Sequence, residues 1–347
     1  MKILVTGAAG FIGAAVVKAL LKEGNEVVGL DNINSYYDTG LKYARLSDVG
    51  ISQATIRDNV LVQSSDNPTY RFIKLELTDR FGLNGLFASE GFDRVIHLAG
   101  QAGVRYSIEN PYAYVESNVL GFLNVLENCR HHPVKHFIYA SSSSVYGMGD
   151  HVPYLETDRT DAPVSLYAAT KKSDELMAYS YSSLYGIPAT AVRFFTVYGP
   201  WGRPDMAPFL FMRSVLEGKT IRVFNHGMMQ RDFTYIDDIV GGLMCMLEHP
   251  STAKVPHAVY NIGHSAPIEL LHFIEVIEQV TGKKAIMEMT GMQAGDVRCT
   301  YADTSHLQHD FNYTPLVSVE EGIRKFYEWY VDFEKKTENL CCLSSKV

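Results

Sequence analysis

The sequence predicts an α/β protein built on a doubly wound parallel sheet, followed by a smaller mixed α/β lobe. Short apolar, β-rich runs alternate with helical patterns over the first two hundred residues. A glycine-rich loop, Gly7-Ala8-Ala9-Gly10-Phe11-Ile12-Gly13, follows the first of these runs directly. After Gly199 the texture changes to a loop dense in Gly and Pro, and shorter mixed elements follow it.

Residues 2–6 read as a buried parallel strand, apolar and rich in β-formers. Residues 11–23 carry apolar side chains at helical spacing and stop at Gly24. Residues 26–30 form the next strand and end at Asp31, completing a βαβ unit. Residues 34–67 are polar and irregular, a loop with a short helix near 41–48. Strands follow at 71–75, 93–98 (ending at Ala99-Gly100), 136–140 and 189–194. Long helices are expected at 111–130 and 166–185. The organisation is then a nucleotide-binding domain over 1–199, which also holds the catalytic residues. A mainly substrate-binding lobe over 200–335 partly returns to that domain, and 336–347 forms a flexible tail. No internal repeat is visible.

The chain has 347 residues, enough to bury a large core. With 46% hydrophobic and 20% charged residues it has an ordinary globular composition. A net charge of −8 argues against a nucleic-acid binder, which needs a basic stripe for phosphates. The five cysteines match no zinc or redox spacing, so no metal is expected. The missing disulfide framework fits a reducing compartment. Neither a signal peptide nor a membrane-length apolar run is present, and a cytoplasmic protein is expected.

In a doubly wound sheet, ligands bind at the carboxyl ends of the strands. The glycine loop, Asp31, Ala99-Gly100, the serine run Ser141–Ser144 and Phe195-Thr196 all fall there. Glycines at a strand-to-helix turn let the backbone approach a pyrophosphate, whose charge the helix N-terminus favours. A plain packing turn is the competing reading. Asp31 can accept hydrogen bonds from both ribose hydroxyls and would repel a 2′-phosphate, which points to NAD rather than NADP. It also suits a strand-end turn. Tyr167 and Lys171 lie four apart, on one helix face. A tyrosine ordinarily ionises near pH 10, and a nearby ammonium and nicotinamide ring favour its anion. A serine at the neighbouring strand end can share the substrate oxygen. Alone, this pair also suits a packed tyrosine and a solvated lysine.

Together these runs resemble the extended short-chain dehydrogenase/reductase family, a Rossmann-type fold, and within it the nucleotide-sugar 4-epimerases. The matching runs are Thr6–Gly13, His97–Arg105, Ser141–Gly147, Tyr167–Lys171, Arg193–Pro200 and Arg231–Asp238. Within that group the likeness is greatest to UDP-glucuronate 4-epimerases, and it reaches to about Tyr330. The resemblance implies NAD as cofactor and Ser142, Tyr167 and Lys171 as the catalytic set. It places Gly7, Gly10, Phe11, Ile12, Gly13, Asp31, Asn32, Glu76, Leu77, Ala99 and Gln101 around NAD, with Tyr167 and Lys171. Glu76 stands where the family has an aspartate, and Gly100 where it often has alanine.

For the UDP-sugar the resemblance implies Arg105, Ser142, Ser143, Ser144, Thr196, Arg203, Arg231, Asp296 and Arg298. Arg231 and Arg298 are expected at the diphosphate, since a guanidinium fork fits phosphate oxygens. Surface ion pairing is the competing reading for both. Asp296 is expected at the uridine ribose. Thr196 and Arg203 would receive the carboxylate at C6 of a uronate. Arg203 otherwise reads as a hinge residue paired with Asp205. An acid-free serine run argues against dehydration. The resemblance also implies a homodimer joined through the helices at 111–130 and 166–185.

Overall fold

The structure is a computed structural model that describes residues 1–149, 151–293 and 296–344, with residues 337–344 as backbone alone. Strands β1 (Lys2–Thr6) and β2 (Glu26–Asp31) flank helix α1 (Phe11–Lys22), as expected. Helix α2 (Thr39–Ser47) crosses the polar insert, and the Asp38 carboxylate caps it by accepting from Gly40 N. Strand β3 (Leu61–Gln63) lies in a stretch read as loop; three residues are too few for an alternating pattern. Next come β4 (Tyr70–Lys74), α3 (Arg80–Glu90) and β5 (Arg94–His97).

The single helix expected over 111–130 is divided. Short helices α4 (Tyr106–Glu109) and α5 (Pro111–Tyr114) lead into a π-helical turn, Val115–Leu120, and then α6 (Gly121–His131). A π turn adds less than one residue per turn, so the apolar periodicity hardly registers it. Strand β6 (His136–Ser142) runs into the serines. Helix α7 (Leu166–Tyr185) has the expected bounds: the Ser165 hydroxyl accepts from Ala168 N at its start, and Gly186, at φ 68°, ends it. Strand β7 (Ala189–Phe194) follows.

The remaining elements are β8 (Thr196–Tyr198), α8 (Ala207–Glu217), β9 (Thr220–Val223), β10 (Gln230–Arg231), β11 (Phe233–Tyr235), α9 (Ile236–Leu247) and β12 (His257–Ile262). After these come β13 (Ile268–Glu269), α10 (Leu270–Thr281), β14 (Ile286–Met289), α11 (Ser305–Phe311) and α12 (Val319–Ser344). The tail expected over 336–347 is thus helical through Ser344, and its last three residues lie outside the described residues.

The main sheet has eight strands in the order β12-β7-β6-β5-β1-β2-β4-β3, all parallel except β3. Winding reverses between β1 and β5, which opens a crevice at their carboxyl ends. Strand β12 comes from the C-terminal half yet extends the large sheet beside β7. One apolar core continues from β1 and α1 through α9 to α12, and a second fills the opposite face of the sheet. Three two-stranded sheets, β8–β11, β9–β14 and β10–β13, frame the second half.

Arg45 of α2 ties the two halves together. It is 1% exposed, and its guanidinium donates to Ala9 O (2.9 Å) in the glycine loop and to Trp201 O (2.6 Å) and Gly202 O (3.3 Å) at the boundary. It also donates to the Tyr37 hydroxyl at 2.7 Å.

Candidate active site

The glycine loop joins β1 to α1 at the crevice. Gly7 has φ 75°, and a Cβ there would sit 2.8 Å from Ala99 N. A Cβ on Gly13 would fall 2.0 Å from Gly7 O, so α1 can approach this turn only without a side chain. Gly10, Phe11 and Ile12 open the first turn of α1, whose free N–H groups face the crevice. The Asp31 carboxylate, 7% exposed, accepts from Ala9 N (3.1 Å) and Ile33 N (2.8 Å). It therefore holds the glycine loop against the end of β2 and keeps acceptor capacity for a ribose. Asn32 Nδ2 donates to Glu76 Oε2 at 3.0 Å, which sets Glu76 beside the same strand end. Leu77 is buried next to it, its carbonyl accepting from Asn124 Nδ2 at 2.8 Å. This cradle of bare backbone, a helix N-terminus and a ribose-length carboxylate fits a dinucleotide.

Across the crevice, Ala99 N donates to the Thr6 hydroxyl (3.1 Å), which also shares a hydrogen bond with His97 Nδ1 (2.8 Å). Burial, with the Lys171 charge, pushes His97 down to about 3, so its ring is neutral. Gln101 is held at its backbone: its N–H donates to Asn118 Oδ1 (2.7 Å) and its C=O accepts from Asn118 Nδ2 (3.0 Å). Asn118 sits in the π turn and donates to Thr170 Oγ1 at 3.0 Å as well. Its amide thereby couples the β5 loop to α7.

The Lys171 ammonium ties the first turns of α7 to the end of β6, the strand that Ser142 closes, and Tyr167 lies one turn earlier on the helix. Ser142 Oγ donates to Ser144 Oγ (3.1 Å) and accepts from Ser144 N (3.2 Å), so the serine run bends back on itself. Ser143 and Ser144 lie half-buried in the turn that follows. The Lys171 ammonium donates to Ala140 O and to Asp174 Oδ2, both at 3.1 Å, and is 4% exposed. A Cβ on Gly100 would stand 3.5 Å from Lys171 Nζ and 2.9 Å from Asn118 Oδ1. The missing methyl therefore leaves both groups room. The Tyr167 ring meets Tyr114 edge-on, centroids 6.0 Å apart, and the Tyr114 hydroxyl donates to Ala102 O and Gly103 O.

A buried network underlies this centre. Ser141 Oγ donates to Glu175 Oε1 (2.7 Å), and Arg193 binds both Glu175 oxygens (2.8 and 2.9 Å). Arg193 also donates to the Tyr146 hydroxyl (2.9 Å), which donates on to Asn261 Oδ1 (2.6 Å). Burial would raise the Glu175 carboxyl, but the hydrogen bond and charge of Arg193 outweigh it and hold it below the ordinary range. Ser141 thus points into this support, and Ser142, the next residue of β6, points to the opposite side of the strand.

The residues expected at the substrate lie apart from this network. Arg105 Nη2 meets Asp296 Oδ2 at 3.3 Å and stacks over Phe224, 4.8 Å from the ring centre. Arg231 donates to Gln230 O (2.9 Å) and to Arg298 O (3.3 Å), which sets its guanidinium against the backbone at Arg298. Burial lowers Arg231, and the Asp296 carboxylate counters it. Thr196 opens β8 beside β11, its N–H donating to Asp232 O at 3.1 Å. Arg203 forms a two-pronged pair with Asp205 (3.1 and 2.6 Å), and the Tyr36 hydroxyl donates to the same carboxylate at 2.9 Å. A Cβ on Gly103 would lie 3.7 Å from Arg203 Nη2 and 3.6 Å from the Tyr114 hydroxyl. Arg203 therefore lies close to the Tyr114–Tyr167 contact, and its partner here is Asp205, as the hinge-residue reading expected.

Asn118, Arg45, Tyr36, Asp174 and the Glu175–Arg193 pair escaped sequence reasoning. Asp174 and Glu175 left a signal: seven and eight residues past Tyr167, they fall on the buried face of the same helix. Among the described residues, no helix is long and apolar enough to cross a membrane.

The chain is similar to known proteins over nearly its whole length. A family profile described as NAD dependent epimerase/dehydratase family matches residues 3–263. UDP-glucuronate 4-epimerase 2 of Arabidopsis thaliana is 44% identical over 351 residues, covering 97% of this chain and 77% of that protein. A probable UDP-glucuronate 4-epimerase of Rhizobium meliloti is 43% identical over 345 residues, covering 95% of this chain and 97% of the relative. The crystal structure of UDP-glucuronic acid 4-epimerase from Bacillus cereus, in complex with UDP-glucuronic acid and NAD, superposes with a TM-score of 0.85. It is 33% identical, with 96% of this chain and 100% of that one covered. With its glycine cradle at β1 and its tyrosine and lysine on α7, the chain belongs to the NAD-dependent epimerase/dehydratase family.

Proposed function

We propose that this protein is an NAD-dependent 4-epimerase that interconverts UDP-glucuronate and UDP-galacturonate. The observation that carries the uronate is Arg203, a guanidinium set beside the Tyr36, Gly103 and Tyr114 cluster next to Tyr167. A cation at that distance from the base suits a sugar with an anionic C6.

Bound NAD supplies a reversible hydride acceptor at C4. Tyr167 takes the 4-hydroxyl proton as C4 loses hydride, with Ser142 hydrogen-bonded to the same oxygen. The two electrons leave with the hydride, and a 4-keto sugar remains. Arg231 and Arg298 hold the diphosphate while the sugar turns about its linkage. Tyr167 then returns the proton as hydride re-enters at the opposite face, so no net oxidation results. The intermediate is a β-keto acid and would lose CO₂ if its carboxylate stood perpendicular to the ketone. Arg203 and Thr196 keep that carboxylate in the sugar plane, Arg203 exchanging Asp205 for it.

Purified protein is expected to convert UDP-glucuronate without accumulating NADH. Turnover of UDP-galactose alone would sink the uronate assignment in favour of a neutral-hexose epimerase. Arg203→Met should lower kcat/KM for the uronate about 10- to 100-fold, the worth of one charged hydrogen-bonded contact, and leave any slow neutral-sugar turnover unchanged. Equal loss on both substrates would assign Arg203 to structure alone.

A second copy of the chain fits the exposed apolar faces of α5, the π turn and α7. Tyr112 is 78% exposed, Leu176 60% and Leu184 68%, with Val115, Leu120 and Tyr179 alongside. Paired about a two-fold axis, these faces would bury one another in a homodimer. Light scattering should report a dimer, and Leu184→Glu a monomer; a wild-type monomer at micromolar concentration would refute this. The unpaired cysteines Cys129, Cys245 and Cys299 suit a cytoplasmic location.

A further inference from the structure

We propose that Asp174 is a positioning residue of the reaction: it anchors the Lys171 ammonium and, through it, sets the pH range in which Tyr167 works. Tyr167, Lys171 and Asp174 are residues i, i+4 and i+7 of α7 and form one stripe toward the sheet. Lys171 Nζ lies 3.1 Å from Asp174 Oδ2, and the two side chains are 5% and 0% exposed. The second oxygen, Asp174 Oδ1, is buried with no hydrogen-bond partner. A carboxylate in that state is costly, so the site holds it for its effect on Lys171 or keeps it protonated.

The groups around it are few. From its own helix Lys171 and Glu175 act on it. Tyr139 of β6 faces it, bonded through its hydroxyl to His257 Nε2 of β12 at 2.8 Å. His97 of β5 lies across Lys171 and is neutral. Arg193 of β7 is engaged with Glu175. The π turn presents the neutral amide of Asn118 through Thr170. Lys171 is thus the one cation in hydrogen-bonding contact with Asp174 among the described residues.

Burial raises the Asp174 carboxyl from an ordinary 3.8 to about 7, although Lys171 opposes the rise. When Asp174 is ionised, the pair with Lys171 carries no net charge and supports the Tyr167 anion least. When Asp174 is protonated, the ammonium acts at full charge. Asp174 lies about 10 Å along the helix from Tyr167, so removing its charge should move Tyr167-dependent activity by about half a pH unit.

The inference rests on Tyr167 as the base, and two measurements on holoenzyme test it separately. In Asp174→Asn the acid limb of kcat/KM for UDP-glucuronate should move to lower pH by about half a unit. The second measurement is thermal unfolding of both proteins between pH 4 and 8. A carboxyl raised in the folded state keeps a proton that the unfolded chain has lost. Wild-type stability should therefore fall relative to Asp174→Asn as pH rises from about 4 to about 7. Asp174→Ser serves both measurements if the asparagine variant does not fold. A uniform loss of rate with an unmoved limb, or parallel unfolding curves, would overturn the proposal. Loss of activity in Tyr167→Phe together with an unmoved limb overturns it alone; turnover that survives Tyr167→Phe overturns the reading beneath it.

Discussion

Tyr167→Phe is expected to lower kcat about 10³-fold, the span of one general acid–base group, while NAD stays bound and the fold is unchanged. Phenylalanine keeps the edge contact with Tyr114, centroids 6.0 Å apart, because that contact uses the ring and not the hydroxyl. Lys171 also stays anchored, since its acceptors are Ala140 O and Asp174 rather than Tyr167. What disappears is the oxygen that exchanges a proton with O4 of the sugar. Ser142 cannot replace it, because a serine hydroxyl is too weak a base without a partner to receive the proton. Single-turnover assays with measurement of retained NAD check this. Activity within tenfold of wild type would remove Tyr167 from the proton path.

The second large effect concerns stability. Glu175→Ala is expected to cost roughly 3–5 kcal/mol, because Arg193, 2% exposed, would be left charged and buried without its carboxylate. The loss reaches the chemistry too. Glu175 accepts from Ser141 at 2.7 Å, and Arg193 carries the chain onward to Tyr146 and Asn261. With the anchor gone, the end of β6 loosens just where Ser142 begins its turn, so kcat should fall as well. Glu175→Gln keeps an acceptor for Ser141 and should lie between the two proteins. The wild-type contribution has a definite pH dependence. A carboxyl held below its ordinary range stabilises above the unfolded pKa and loses that contribution only as pH falls through the folded one. Chemical denaturation at pH 7 and pH 3 measures both; an alanine variant within 1 kcal/mol of wild type at pH 7 would contradict the network.

Much of the fold was legible because its signals are local. The glycine loop must be glycine where a Cβ at Gly13 would strike Gly7 O, and that constraint sits within seven residues of sequence. Helix α7 was expected at 166–185 and has those bounds, between a serine cap and a left-handed glycine, both local features of the chain. Strand β3 failed to do so, being three residues long, and the π turn at Val115–Leu120 changed the helical period too little to be noticed. Of the candidate site, the sequence showed which residues end the parallel strands, but not what each of them touches. Arg203 had two readings, sugar carboxylate or Asp205. In the folded chain it pairs with Asp205 and still lies beside the Tyr167 cluster.

By itself, then, the sequence determined the βαβ frame, the nucleotide cradle, the family and the tyrosine–lysine spacing, all set by backbone geometry over a few residues. Tertiary structure alone decided the partners that hold these parts in place. Arg45 reaches Trp201, Arg105 reaches Asp296, and Asn118 joins Gln101 to Thr170, across 156, 191 and 52 residues at the widest. Such pairs leave no periodic trace, because burial and hydrogen-bond satisfaction select them only after the sheet has brought distant strand ends to one edge.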